Sequence, residues 1–191
     1  MTLPGEHRVL YVIVCGAGPA GEVGRLVELA HDRGWTVQII ATPSALAFID
    51  VPKLESQTGR PVRSEYRSPG EPKSPRADAI IVAPATFNTI NKWANGISDT
   101  YALGILAEAP GLNIPVVALP FVNSALADRA PFKDSVNALR NEGFGSCSAG
   151  ASSSPTHLDQ GGTGSLTSPG NSPLHRSRIS SPRLSCDRNG G

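Results

Sequence analysis

A chain of 191 residues and 19.9 kDa, 39% hydrophobic, has room for one α/β domain with a sizeable core and hardly for two. Its 17 Lys and Arg are scattered among 16 Asp and Glu for a net charge of +1, so nucleic acid and membrane are not expected partners. The first apolar run, residues 9–15, is too short for a signal-peptide core or a membrane span, which makes the expected compartment cytoplasmic.

Residues 9–15 form a continuous β-rich apolar run, as a parallel strand buried on both faces requires. Cys15 at its end reads as a small buried hydrophobe, and with Cys147 and Cys186 it shows no metal-ligand spacing and no even-numbered disulfide framework. A glycine turn at 16–21 leads into a helix at 22–33, where Val23, Leu26, Val27, Leu29 and Ala30 keep helical spacing and Gly34 closes the element. A second apolar strand at 35–41 completes a βαβ unit with the usual right-handed crossover.

Residues 44–49 look like a short helix, and 50–77 turn rich in Pro, Gly, Arg and Ser without a period, as a partly mobile loop would. A buried strand is predicted at 78–83, a helix at 89–108, a short strand at 115–119, and a helix and turn at 134–145. This alternation is that of an α/β, Rossmann-like, doubly wound parallel sheet with three α/β/α layers and a ligand crevice above the strands' carboxyl ends. The domain is therefore placed at 1–145. The tail, 146–191, is dominated by Ser, Gly, Pro, Thr and Arg and reads as disordered low-complexity sequence. It begins abruptly where a further strand is expected, which suggests a shifted reading frame.

Gly16-Ala17-Gly18-Pro19-Ala20-Gly21 satisfies the dinucleotide fingerprint after a strand and before a helix, so an FAD- or NAD-binding domain is one reading. That reading wants an acidic residue about 20 positions on. Ile39, Ile40, Ala41 and Thr42 stand there instead. What remains is a helix start with open backbone donors, able to hold one phosphate, and Thr42 and Ser44 lie on the same rim.

The run from Ala83 to Asp99 is the most informative. Thr86, Asn88 and Thr89 place hydroxyls and an amide at another helix start, suited to a phosphate or polar heterocycle. Asn95-Gly96 inside a helical run costs about 1 kcal/mol against alanine and marks a break or a close backbone approach. This block, Pro84-Ala85-Thr86-Phe87-Asn88-Thr89 with Lys92-Trp93-Ala94-Asn95-Gly96-Ile97-Ser98-Asp99, resembles the flavin segment of the homo-oligomeric flavin-containing cysteine decarboxylases, the family of phosphopantothenoylcysteine decarboxylase and the lantibiotic peptide decarboxylases. Thr42-Pro43-Ser44-Ala45-Leu46-Ala47-Phe48 resembles that family's second flavin segment.

The resemblance covers about residues 9–140 and implies a flavodoxin-like fold with FMN as cofactor. It implies that Gly16, Ala17 and Ser44, with Thr42 beside them, meet the phosphate. Thr86, Asn88 and Thr89 would lie along the ribityl chain and ring, with Asp99 grouped with them. It further implies a trimer or a dodecamer with flavin between subunits, and flavin-dependent oxidative decarboxylation of a small-molecule or peptide thiol derived from cysteine.

Two departures bear on activity. The family's histidine belongs in the stretch 61–76, and no histidine stands between His31 and His157, which leaves Glu65 as a candidate base. In 119–127 only Pro120 and Asn123 persist of the substrate motif, so Asn123 is the candidate for a substrate carboxylate in a reshaped pocket. A non-catalytic FMN-binding or regulatory subunit is the alternative. His31 suits a helix C-terminus, His7, His157 and His175 are assigned to disordered segments, and Trp93 reads as packing or a subunit contact.

Overall fold

The computed structural model describes residues 8–146. Of the expected disordered tail only Ser146 is among them, in a strand; Cys147, His157, His175 and Cys186 lie outside them, as does His7. Strand β1 (Arg8–Val14) is the axis of the molecule, and its sequence shows why. Leu10, Val12 and Val14 point into one core, while Val9, Tyr11, Ile13 and Cys15 point into another on the opposite face. A strand with apolar contacts on both sides needs no polar alternation.

Parallel partners flank β1: β2 (Trp35–Ala41) on one side and β3 (Ala79–Ala85) on the other, with Val12 opposite both Ile39 and Ile81. β4 (Val116–Pro120) follows β3, and a two-residue β5 (Gly145–Ser146) pairs with β4, giving the order β2-β1-β3-β4-β5. This is the flavodoxin-like order, with its switch point between β1 and β3. Gln38, 2% exposed in β2, is satisfied by donating its amide to the Pro61 carbonyl at 2.8 Å.

Helix α1 (Val23–His31) buries Val23, Val27 and Ala30 on the β2 side, and α2 (Val51–Thr58) adds Leu54 to the same core. The other face carries α3 (Phe87–Ala94), α4 (Tyr101–Glu108) and α6 (Ala130–Asn141), through Ile90, Trp93, Leu103, Leu106, Phe132 and Leu139. Between β4 and α6 lies the single-turn α5 (Ser124–Ala127). The three layers expected from the sequence are present.

Three local expectations are corrected. The helix at 44–49 is only a 3₁₀ turn, Pro43–Ala47. Within the segment read as loop, α2 forms because the Asp50 carboxylate accepts the Lys53 N–H at 3.1 Å and Gly59, at φ +65°, closes the other end. The helix at 89–108 is two helices, because Gly96 takes φ +68° and turns the chain between α3 and α4. No described helix is long and apolar enough to cross a membrane.

Candidate functional site

The carboxyl ends of β1, β2 and β3 meet at one rim. The Cys15 N–H donates to the Pro84 carbonyl at 3.1 Å, and the Thr42 N–H donates to the Val14 carbonyl at 2.9 Å, so three turns are tied together. Above them opens a cleft of about 370 Å³, walled by Gly16, Thr42, Ser44, Thr86, Asn88 and Thr89. Two polar turns far apart in sequence thus share one cavity.

Each wall is held in place locally. Thr86 caps α3, accepting the Thr89 N–H at 3.3 Å, and its hydroxyl lies 3.0 Å from that of Thr89. The Thr42 and Ser44 hydroxyls are 3.2 Å apart. Thr42 is 7% exposed and Thr89 5%, so these hydroxyls are directed rather than solvated. Gly16 packs against Ser44 so closely that a Cβ there would meet the Ser44 carbonyl oxygen and Oγ at 2.9 Å each.

Beneath this floor the buried Cys15 thiol is pushed above its ordinary value of 9.0 by desolvation, and contacts with Thr89 and Thr86 pull it partly back. It is therefore a neutral thiol near pH 7, linking strand end to helix cap.

Lys92 and Thr100 complete the walls, and sequence reading did not single out either for this site. Lys92 follows Asn88 and Thr89 at the i+4 and i+3 positions of α3, a spacing that would have put it on their face. Its ammonium pairs with the Asp99 carboxylate at 2.5 Å. Asp99 itself is half-exposed and reaches the cleft only through Lys92. Ala17 sits beside Gly16 but forms no wall.

The two candidates for chemistry stand elsewhere. Glu65 is exposed on the segment after α2. Asn123 spends its Oδ1 accepting the Leu126 N–H at 2.9 Å, capping α5. Neither lines the cleft.

The walls suit a phosphate-bearing polar group. They offer hydroxyls, one carboxamide, one ammonium and the start of α3, and no carboxylate stands among them to repel an anion. The missing Cβ at Gly16 lets the Ser44 turn pack directly on the β1 turn at the cleft wall.

The family model described as Flavoprotein matches residues 3–168. The chain belongs to that family. Among curated relatives of this flavoprotein, the coenzyme A biosynthesis bifunctional protein CoaBC of Escherichia coli (strain K12) is 29% identical over 151 residues, covering 75% of this chain and 36% of the relative. The chain thus spans about a third of the length of that relative.

Among solved structures, the FMN-dependent cysteine decarboxylase TvaF from thioviridamide biosynthesis is 26% identical, with a TM-score of 0.63 over 73% of this chain and 88% of TvaF. The FMN-dependent cysteine decarboxylase SpaF, at 24% identity, has the same fold, with a TM-score of 0.63 over 75% of this chain and 84% of SpaF. Membership of the flavoprotein family supports a flavin cofactor.

Proposed function

We propose that this flavoprotein binds FMN in the cleft above β1, β2 and β3, with the phosphate against Gly16, Ala17, Thr42 and Ser44. Thr86, Asn88 and Thr89 would flank the ribityl chain and ring, and Lys92, held by Asp99, would supply a cation at the wall. The observation that carries this reading is the convergence of Gly16 with the 42–44 and 86–89 turns on one cavity free of carboxylates. FMN, when bound, supplies two-electron oxidation of a thiol-bearing carbon chain, the chemistry that eases loss of a neighbouring carboxylate. The substrate class proposed is a cysteine-derived thiol, small molecule or peptide, and the assembly a homotrimer or a dodecamer of trimers.

One feature favours a second reading, an FMN-binding subunit without turnover. Lys92 is the sole ionisable side chain among the described residues lining the cleft, and an ion-paired ammonium is poorly suited to accept a proton near neutrality. The visible spectrum of the purified protein and the mass of its released cofactor test the binding claim. FMN supports it, whereas FAD or NAD transfers the site to the dinucleotide reading. Anaerobic mixing with phosphopantothenoylcysteine and with cysteine-terminated peptides then separates the two readings: carbon dioxide from either establishes a decarboxylase, and none from both favours the binding role. Light scattering reads the oligomer.

A further inference from the structure

The stretch 61–76, which holds no histidine, builds a different feature. It runs across the α4 side of the sheet and brings Arg63, Arg67 and Lys73 around Tyr11, Tyr66 and Tyr101, enclosing a cleft of about 330 Å³. A second cavity of about 200 Å³ shares the three tyrosines and extends over Ile80, Ile105 and Leu112. No residue lines both this pair of cavities and the flavin cleft. The first turn of α4 divides them, since Thr100 and Leu103 face the flavin cleft while Tyr101 and Gly104 face the tyrosines.

The chemistry of the walls is asymmetric. One side is aromatic and aliphatic: Tyr66 and Tyr101 meet edge to face at 5.1 Å, over the isoleucines. The other side is cationic. Lys73 has no ion-pair partner among the described residues, and Arg67 gives only one N–H to the Glu71 carbonyl, at 3.2 Å. Arg63, its side chain 13% exposed, pairs with Glu71 at 2.7 Å yet keeps its buried Nε without a partner. Arg76 adds a fourth cation in the second cavity, where it donates to the Leu112 carbonyl at 3.1 Å and Glu108 also lines the wall.

A chain whose net charge is only +1 has thus gathered cations at a tyrosine-lined hollow. An unpaired buried guanidinium N–H costs free energy that an anion would relieve, and tyrosine rings favour a flat apolar body beside it.

We propose that this hollow is a second ligand site, separate from the flavin cleft, which takes an anion carried on an aromatic body. The ring lies against Tyr66 and Tyr101, and the anionic group meets Arg63, Arg67 and Lys73.

Calorimetric titration of the full chain, with and without saturating FMN, with phenyl phosphate, inorganic phosphate and phenol tests this. Phenyl phosphate is expected to bind in both states, at least tenfold more tightly than either fragment. Arg67→Gln and Lys73→Gln each weaken it roughly tenfold, the size of one charge-assisted hydrogen bond. Both leave FMN uptake, read by absorbance, unchanged. Gly104→Ala gives a steric check, because a Cβ there collides with the Tyr66 hydroxyl and displaces that ring, so it also weakens phenyl phosphate. Loss of phenyl phosphate binding on FMN saturation, equal affinity for inorganic phosphate, or unchanged affinity in both cation variants overturns the proposal, as does no binding at all.

Discussion

Gly16 shows how much a single hydrogen can decide. With Ser44 Oγ and carbonyl oxygen each 2.9 Å from where a Cβ would stand, Gly16→Ala must push the β2 turn away from the β1 turn. The expected result is FMN affinity at least tenfold weaker with a stability loss of about 1–3 kcal/mol, checked by flavin fluorescence titration and urea unfolding. A second residue-scale prediction concerns pH. Burial raises the Cys15 thiol above 9.0 and, with the Tyr101 side chain adding to it, raises the Tyr11 phenol above 10.0. Tyr11 also donates to the Pro75 carbonyl at 2.6 Å, which only the protonated phenol can do.

Both groups keep their protons in the fold after the unfolded chain has lost them, so stability is intact below 9.0 and falls as pH rises through the raised values. Urea midpoints across a pH series should decline above 9.0, and Cys15→Ala should remove the earlier part of that slope. A flat profile in the parent protein contradicts the assignment. That Gly16, Thr42, Ser44, Thr86, Asn88 and Thr89 stand on one rim was legible in sequence because strand ends and helix caps announce themselves locally. Glu65 and Asn123 do not line the cleft, and only long-range packing tells that one is exposed and the other caps α5.

At the scale of elements, the break between α3 and α4 does the positioning. The Gly96 N–H donates to the Trp93 carbonyl at 3.0 Å and the Ile97 N–H to the Lys92 carbonyl at 2.9 Å, closing α3 so that Asp99 turns back to Lys92 and Thr100 starts α4 at the cleft wall. An L-residue at φ +68° costs roughly 1 kcal/mol. Gly96→Ala is therefore expected to lose about that much stability and also to weaken FMN binding severalfold. Gly70→Ala, at φ +93° on the loop, should cost a similar amount and leave FMN binding alone. Equal effects of both on flavin affinity would mean that the break does not aim the wall. The Asn95-Gly96 pair is a local signal of this break, although the apolar spacing of 89–108 runs on as that of a single helix. Helix α2 gave no such signal: it buries only Leu54, so no apolar period rises above its polar residues.

For the whole molecule, the apolar runs of β1, β2 and β3 were enough to read a parallel sheet covered on both faces, because neither face of such a strand can be polar. The strand order came from the resemblance to a flavodoxin-like fold rather than from the apolar runs, and the cationic hollow was not readable, since it depends on where the 61–76 stretch crosses the sheet. The two faces hold separate apolar clusters joined only through the sheet, and each has its own tryptophan. Trp35 packs on the α1 side under the Arg8 guanidinium, 4.3 Å from its ring, while Trp93 lies on the α3 side 4.6 Å from Phe144. Because β1 feeds alternate side chains to both clusters, neither can melt without releasing the other, and a single cooperative transition follows. Trp35→Phe and Trp93→Phe each leave one reporter, and their urea midpoints, corrected for the substitution itself, should coincide with that from circular dichroism. Ile39→Ala, which empties space on the α1 side alone, should lower stability by about 2–5 kcal/mol and lower it equally by the Trp93 signal on the far face. If Trp93 unfolds at its original midpoint in that variant, the sheet does not couple its two sides, and a cleft built from both would not be held as one rigid site.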